Sequence, residues 1–290
     1  MIMYDIKVYP KDKTYHKDFF KLVQFLNRIN NQGRCLHMHW SRIEWMFARD
    51  NIKAEELSKN VLFYENNDIK GAIIYEDEPN TFFLVYEDDQ ALKKEMVHYI
   101  LNHEGYNDLI IPEDLEMIEC LVKNNFHQEK WIDPISMFSL DHIDMPEIEG
   151  YTFKSLAEDY RLDQIHHALW LGFDHGDDIS YDDSNLEDRR HMTSSPNFQK
   201  KYTYVAIYDD KYVSYAGIWY MKDSKTALIE PVATVPSHRK KGLMKACIYH
   251  AIDAVRKDGN PEIYVGSNQE AYYRIGFKPH SQGLRFKKQL

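Results

Sequence analysis

Hydrophobic positions recur along this chain with two periods. Spacings of three and four residues predict helices over 18–30, 41–49, 91–102 and 113–124, and again over 162–171 and 242–257. Short runs rich in β-branched and aromatic residues predict strands at 61–64, 72–75, 81–86 and 108–111, then at 202–208, 212–220, 226–235 and 262–265. The turns DDK and MKDSK between the later strands are short enough for an antiparallel meander. The helix over 242–257 stops at RKDGNP: basic residues meet its carbonyl end, Gly259 offers a left-handed conformation, and Pro261 bars continuation.

Strand, helix and strand over 226–265 predict a right-handed parallel unit appended to the meander. Each half of the chain ends in the order strand, helix, strand, helix, then an aromatic after a turn, LVKNNF in the first and YYRIGF in the second. That is the pattern of a diverged tandem repeat, although an α/β chain of this size reaches the same order without duplication. The polar, proline-marked stretch DHIDMPEIEG at 141–150 separates the halves, and the expected domains are 1–145 and 146–290. The fold class expected is mixed α/β (α+β), with a mixed central sheet flanked by helices in each domain.

Composition narrows the function. With 290 residues, each half is long enough to bury its own core. A formal net charge of -10 disfavours generic binding to nucleic acid or to an anionic membrane, so any anionic ligand needs a local basic patch. Cys35, Cys120 and Cys247 lack CxxC spacing and suggest neither disulfides nor a zinc ribbon. The amino-terminal MIMYDIKVYPKDK has no apolar h-region and no long apolar run occurs, so the expectation is a cytoplasmic protein, monomer or homodimer, with no membrane span.

The most informative segment is EPVATVPSHRKKGLMKACIYHA, 230–251, which joins a strand to a helix through a basic turn. A helix N-terminus presents unpaired N–H groups and the positive end of the helix dipole, which suits a phosphate. His238, Arg239, Lys240 and Lys241 concentrate charge there, and Gly242 lets the backbone approach a ligand closely. A basic turn alone is more often solvated surface.

Arg239-x-x-Gly242-x-Met244 resembles the pyrophosphate loop of the GNAT superfamily of acyl-CoA N-acyltransferases: Gln or Arg, two residues, Gly, one residue, Gly or Ala. EPVATVP resembles that fold's fourth strand, and SNQEAYYRIGF resembles its segment with Asn, then Tyr four residues before Gly-Phe. Met244 departs from the pattern, since a bulky side chain there is expected to crowd the pyrophosphate.

The resemblance implies a site. Ala233, Thr234 and Val235 would pair with the pantetheine arm of acetyl-CoA; Arg239, Lys240, Lys241, Gly242, Leu243, Met244 and Lys245 would hold its diphosphate; Asn268 would contact the cofactor or cap its own helix. Attack by a lysine-like amine costs about 4 to 5 kcal/mol for deprotonation at neutral pH, so a base has a task, and Glu230 is placed for it. Tyr272 matches the family's proton donor to the leaving thiolate, in preference to its neighbour Tyr273. A backbone N–H around Val232 to Thr234 would meet the charge on the thioester oxygen. The implied activity is acetyl transfer to a primary amine of a small molecule or peptide, without a metal; the alternative is an acyl-CoA-binding regulatory or adaptor module without turnover.

The corresponding first-half stretch, LVYEDDQALKKEMVHYI, carries Glu87, Asp88 and Asp89 where the second carries HRKK, and no glycine opens its helix. Acidic side chains repel a pyrophosphate, so the first domain is expected to be a degenerate repeat that walls the acceptor site. Cys35, His37 and His39 lack a fourth ligand and are expected to pack rather than bind metal. Asp174, His175, Asp177 and Asp178, near Trp170 and Phe173, would suit a cationic acceptor or simply form a solvated loop.

Overall fold

Each segment with a helical period in the sequence is a helix in the computed structural model, which describes residues 4–49, 52–76, 81–173 and 186–289. Two compact units result: Met1–Ile135 with Gly266–Asn268 and Pro279–Leu290, and Ser136–Val265 with Gln269–Lys278. A contiguous division at 145/146 differs from these units, because residues 136–145 join the second and Pro279–Leu290 the first.

The first unit runs β1 (Asp5–Val8), α1 (Lys17–Asn30), α2 (Trp40–Ala48), α3 (Ala54–Leu57), β2 (Val61–Glu65), β3 (Asp68–Tyr75), β4 (Thr81–Tyr86), α4 (Gln90–Asn102), β5 (Asp108–Pro112), α5 (Leu115–Lys123) and most of β6 (Phe126–Phe138). β1 to β4 are antiparallel neighbours, and β5 joins β4 in parallel after the α4 crossover. Every residue of β4 is buried, which is why its sequence, TFFLVY, is a continuous apolar run rather than an alternating one. The strand beside β5 is supplied by residues 283–287, antiparallel to it, with Leu284 and Phe286 in the core.

The second unit repeats the plan: β7 (Thr152–Ser155), α6 (Leu162–Gly172), α7 (Glu187–Thr193), β8 (Thr203–Tyr208), β9 (Lys211–Trp219), β10 (Thr226–Thr234), α8 (Leu243–Asp258), β11 (Glu262–Val265), α9 (Glu270–Tyr273) and the start of β12 (Phe277–Lys288). β7 to β10 are antiparallel, and β11 joins β10 in parallel. Met137 and Ser136, at the end of β6, pair antiparallel with Tyr264 and Val265. The hairpin between β8 and β9 turns on Asp209 and Asp210, with φ of 47° and 59°, as its sequence predicts.

The end of α8 differs from expectation. Gly259 has φ of -176°, and the left-handed residue is Asn260 with φ of 51°. Glycine at 259 leaves room for Tyr220, since a Cβ would stand 1.7 Å from its hydroxyl and the ring would have to move. α7 begins at Glu187, with Glu187 and Asp188 in its first turn. Asp174, His175, Asp177 and Asp178 lie outside the described residues.

Candidate active site

β10 and β11 pair only through Thr226, Ala227 and Leu228 with Glu262, Ile263 and Tyr264. β10 then continues to Thr234, holding β9 on its other edge through Ala233 with Tyr215 and Thr234 with Ser214. The register slips between Ile229 and Val232, a bulge occupied by Glu230 and Pro231. Proline has no N–H for a ladder, and a bulge bends its strand, so the departure of β10 from β11 follows from the sequence at that point. Gly217 faces the bulge; a Cβ there would lie 3.1 Å from the Glu230 carbonyl oxygen. The result is a strand edge that no strand takes up among the described residues.

That edge leads into the basic turn. The chain passes a tight helical turn, Pro236–His238, and reaches Lys240 and Gly242 with φ of 61° and 84°. Gly242 tolerates this conformation without steric cost, and Lys240 accepts some strain. The first bond of α8 runs from the Ala246 amide to the Gly242 carbonyl at 3.0 Å. The amides of Leu243, Met244 and Lys245 therefore have no intrahelical carbonyl to reach, and the helix dipole adds positive charge there.

The cations of the turn have different tasks. Arg239 donates to the Thr234 carbonyl at 3.0 Å and to the Gly172 carbonyl at 2.9 Å, tying the turn to the ends of β10 and α6. A Cβ at Gly172 would meet that of Ala233 at 2.6 Å, so only glycine lets α6 approach so closely. Lys240 and Lys241 are exposed. Lys245 lies over the Tyr249 ring at 5.1 Å. His238 adds less charge than its place in HRKK suggests: burial, then Lys241 and His167, lower its pKa. Met244 is partly buried and packs against the apolar core of the unit.

Glu230 is half-buried on the bulge. Tyr272, on the short α9, packs edge-on against Phe277 at 5.6 Å. Burial pushes its hydroxyl up to about 12, and the Glu230 carboxylate adds to the shift, so the two groups share one electrostatic neighbourhood. Gly276, with φ of 101°, ends this segment where a Cβ would strike Leu140 at 2.6 Å. Asn268 is exposed and does not cap α9, whose N-cap is Gln269, so the capping alternative fails.

The first unit has the same strand geometry with opposite chemistry. β4 pairs with β5 only from Thr81 to Phe83 and runs on to Tyr86. Asp89 then caps α4, accepting from the Leu92 amide at 2.7 Å, where the second unit has Gly242. Lys93, 2% exposed, is held by Asp88, Asp114 and Glu116 at 2.7, 2.8 and 2.9 Å. A helix start already capped by one carboxylate and ringed by others repels a phosphate. Burial drives His37 and His39 neutral; His37 stacks on Phe83, and His39 bonds the Ser41 hydroxyl at 2.8 Å. Among the described residues no group of His, Cys, Asp and Glu is arranged to hold a metal ion, and no helix is long and apolar enough to cross a membrane.

Sequence reasoning passed over Tyr151, whose hydroxyl lies 2.9 Å from His238 Nδ1 and 3.0 Å from Lys241 Nζ. The tyrosine stands some ninety residues from the loop it touches, and nothing local marks it.

Residues 162–277 match the Acetyltransferase (GNAT) family model. No curated protein sequence matches the chain. Among solved structures, the chain is similar to a GCN5-related N-acetyltransferase from Sphaerobacter thermophilus, at 12% identity and a TM-score of 0.57 over 98% of this chain and 95% of that one. It is similar also to a GNAT-family acetyltransferase from Colwellia psychrerythraea, at 11% identity and 0.59 over 98% and 100%. A tandem GNAT protein from the clavulanic acid biosynthesis pathway aligns at 10% identity and 0.56 over 97% and 98%. At these identities the likeness is one of fold. The chain has a tandem GNAT fold, and the acetyltransferase family's sequence pattern lies in its second repeat.

Proposed function

We propose, from a tandem GNAT fold with the family pattern in its second repeat, that this chain transfers an acetyl group from acetyl-CoA to a primary amine of a small molecule or peptide by direct attack. One observation carries the reading: the free edge of β10 ends at a helix start whose amides are unpaired and whose turn is opened by Gly242.

Ala233, Thr234 and Val235 would pair with the amides of the pantetheine arm, as an added strand pairs with a sheet edge. The amides of Leu243, Met244 and Lys245, with Gly242 and the ammonium groups of Lys240, Lys241 and Lys245, would hold the diphosphate. Arg239 serves by fixing the turn to β10 and α6.

Glu230 takes the proton from the attacking amine, directly or through a water. The nitrogen forms its bond to the thioester carbon, an N–H of 232–234 receives the charge on oxygen, and the carbon–sulfur bond breaks. Tyr272 keeps its proton through the pH range in which an amine acceptor ionises, since burial and Glu230 both favour the neutral phenol. It gives that proton to the departing thiolate, and solvent exchange restores both side chains.

Two measurements test this. Calorimetry should detect CoA binding, and mixing with acetyl-CoA and a panel of amines should release free thiol. Absence of CoA association at millimolar ligand, in a folded sample, would end the proposal.

A further inference from the structure

The segment that opens the second unit lies against the basic turn. Ile148 reaches to 3.4 Å from where a Cβ of Gly242 would stand, and the Tyr151 amide closes a turn onto the Ile148 carbonyl at 3.2 Å. This brings the Tyr151 ring beside His238, edge-on at 5.8 Å, and beside Tyr208 at 5.1 Å. Lys241 lies over the same ring at 5.7 Å.

The hydrogen bonds have one consistent direction. An ammonium only donates, so Lys241 gives a hydrogen to the Tyr151 oxygen at 3.0 Å. The single phenolic hydrogen is then free to go to His238 Nδ1 at 2.9 Å. His238 as acceptor at Nδ1 is the neutral tautomer with its hydrogen on Nε2. Tyr151 thus fixes the rotamer of a lysine and the ring orientation and tautomer of a histidine, both on a turn that is otherwise exposed.

We propose that Tyr151 is a positioning residue for the diphosphate turn: it holds Lys241 and His238 in place for the anionic end of an acyl-CoA, without itself touching the acyl chemistry. The inference rests on the acyl-CoA reading above. A lysine side chain has much rotamer freedom to lose, so one already held loses less when a phosphate arrives.

The test is calorimetric binding of CoA and, separately, of pantetheine, which lacks the phosphates, to the full chain. Tyr151→Phe keeps the ring against Tyr208 and Lys241 and removes only the hydroxyl. It should weaken CoA about five-fold, the value of one hydrogen bond, and leave pantetheine binding unchanged. Tyr151→Phe should weaken CoA in the natural chain but add little in the Lys241→Met background, because the hydroxyl acts through the lysine it holds. Wild-type CoA affinity in Tyr151→Phe, equal losses for CoA and pantetheine, or fully additive losses in the double variant would each overturn the proposal. A natural chain that binds no CoA refutes the acyl-CoA reading instead, and the two failures are distinguishable.

Discussion

At the scale of single residues, the decisive feature is a carboxylate and a phenol that feel one another. Glu230→Gln should lower kcat/KM by about 10²- to 10⁴-fold near neutral pH, the usual worth of a general base. The loss should shrink at high pH, where the amine is already deprotonated; retention of full activity across the neutral range would remove Glu230 from the mechanism. Tyr272→Phe should lower kcat while the calorimetric CoA affinity stays unchanged, and Tyr273→Phe should do neither. His238 supplies a pH dependence whose sign follows from its surroundings. Burial, Lys241 and His167 lower its pKa in the free chain, with Tyr151 and Tyr208 against its ring and Arg239 and Lys240 on its own turn. A bound diphosphate favours the imidazolium, so the pKa rises on binding and a proton is taken up. CoA affinity should therefore increase as pH falls through the region near the ordinary histidine value, and His238→Gln should flatten that dependence.

At the scale of elements, glycine sets how closely two segments approach β10 and opens the helix that follows it. Gly172 brings the end of α6 onto Ala233, Gly217 accommodates the bulge carbonyl of Glu230, and Gly242 opens α8. Gly172→Val has to displace backbone, because its neighbours include the Thr234 amide at 3.0 Å. It should lower stability by about 1–3 kcal/mol, as overpacking does, and raise the KM for acetyl-CoA by disturbing the strand's end. Thermal melts and steady-state kinetics check both effects. The α4 start of the first unit is the converse case, an anionic cap where the second unit offers bare amides. Lys93→Met there leaves Asp114, only 13% exposed, without its ammonium. The cost should be about 1–3 kcal/mol, below that of a fully buried pair because Asp88 and Glu116 remain solvated.

At the scale of the molecule, the repeats are not closed along the sequence. The first unit takes the strand beside β5 from residues 283–287, and the second takes residues 136–138 from the first half. Arg285 binds Asp108 in a two-pronged pair, Nε to Oδ1 at 2.8 Å and Nη2 to Oδ2 at 2.7 Å, fixing the register of β12 on β5. Phe286 is fully buried in the first unit's core. Phe286→Ala should lower the stability of that unit by about 3–5 kcal/mol, seen as an earlier transition in denaturant unfolding. A change no larger than that of an exposed substitution would show that this strand is not integral to the first core.

The helices, the β8–β9 turn and the strand-to-helix turn at 230–251 were legible in the sequence because each depends on local periodicity, turn chemistry or residues adjacent in the chain. The open edge of β10 was partly legible, since Pro231 cannot complete a ladder. The ending of α8 was misread because the left-handed residue is Asn260, while Gly259 makes room for Tyr220, a contact from a residue distant in the chain. Pairing of Tyr151 with the basic turn, and of residues 283–287 with β5, belonged to tertiary structure alone. Those contacts join segments far apart in the chain, and their side chains and strand edges carry no local mark of the partner they meet.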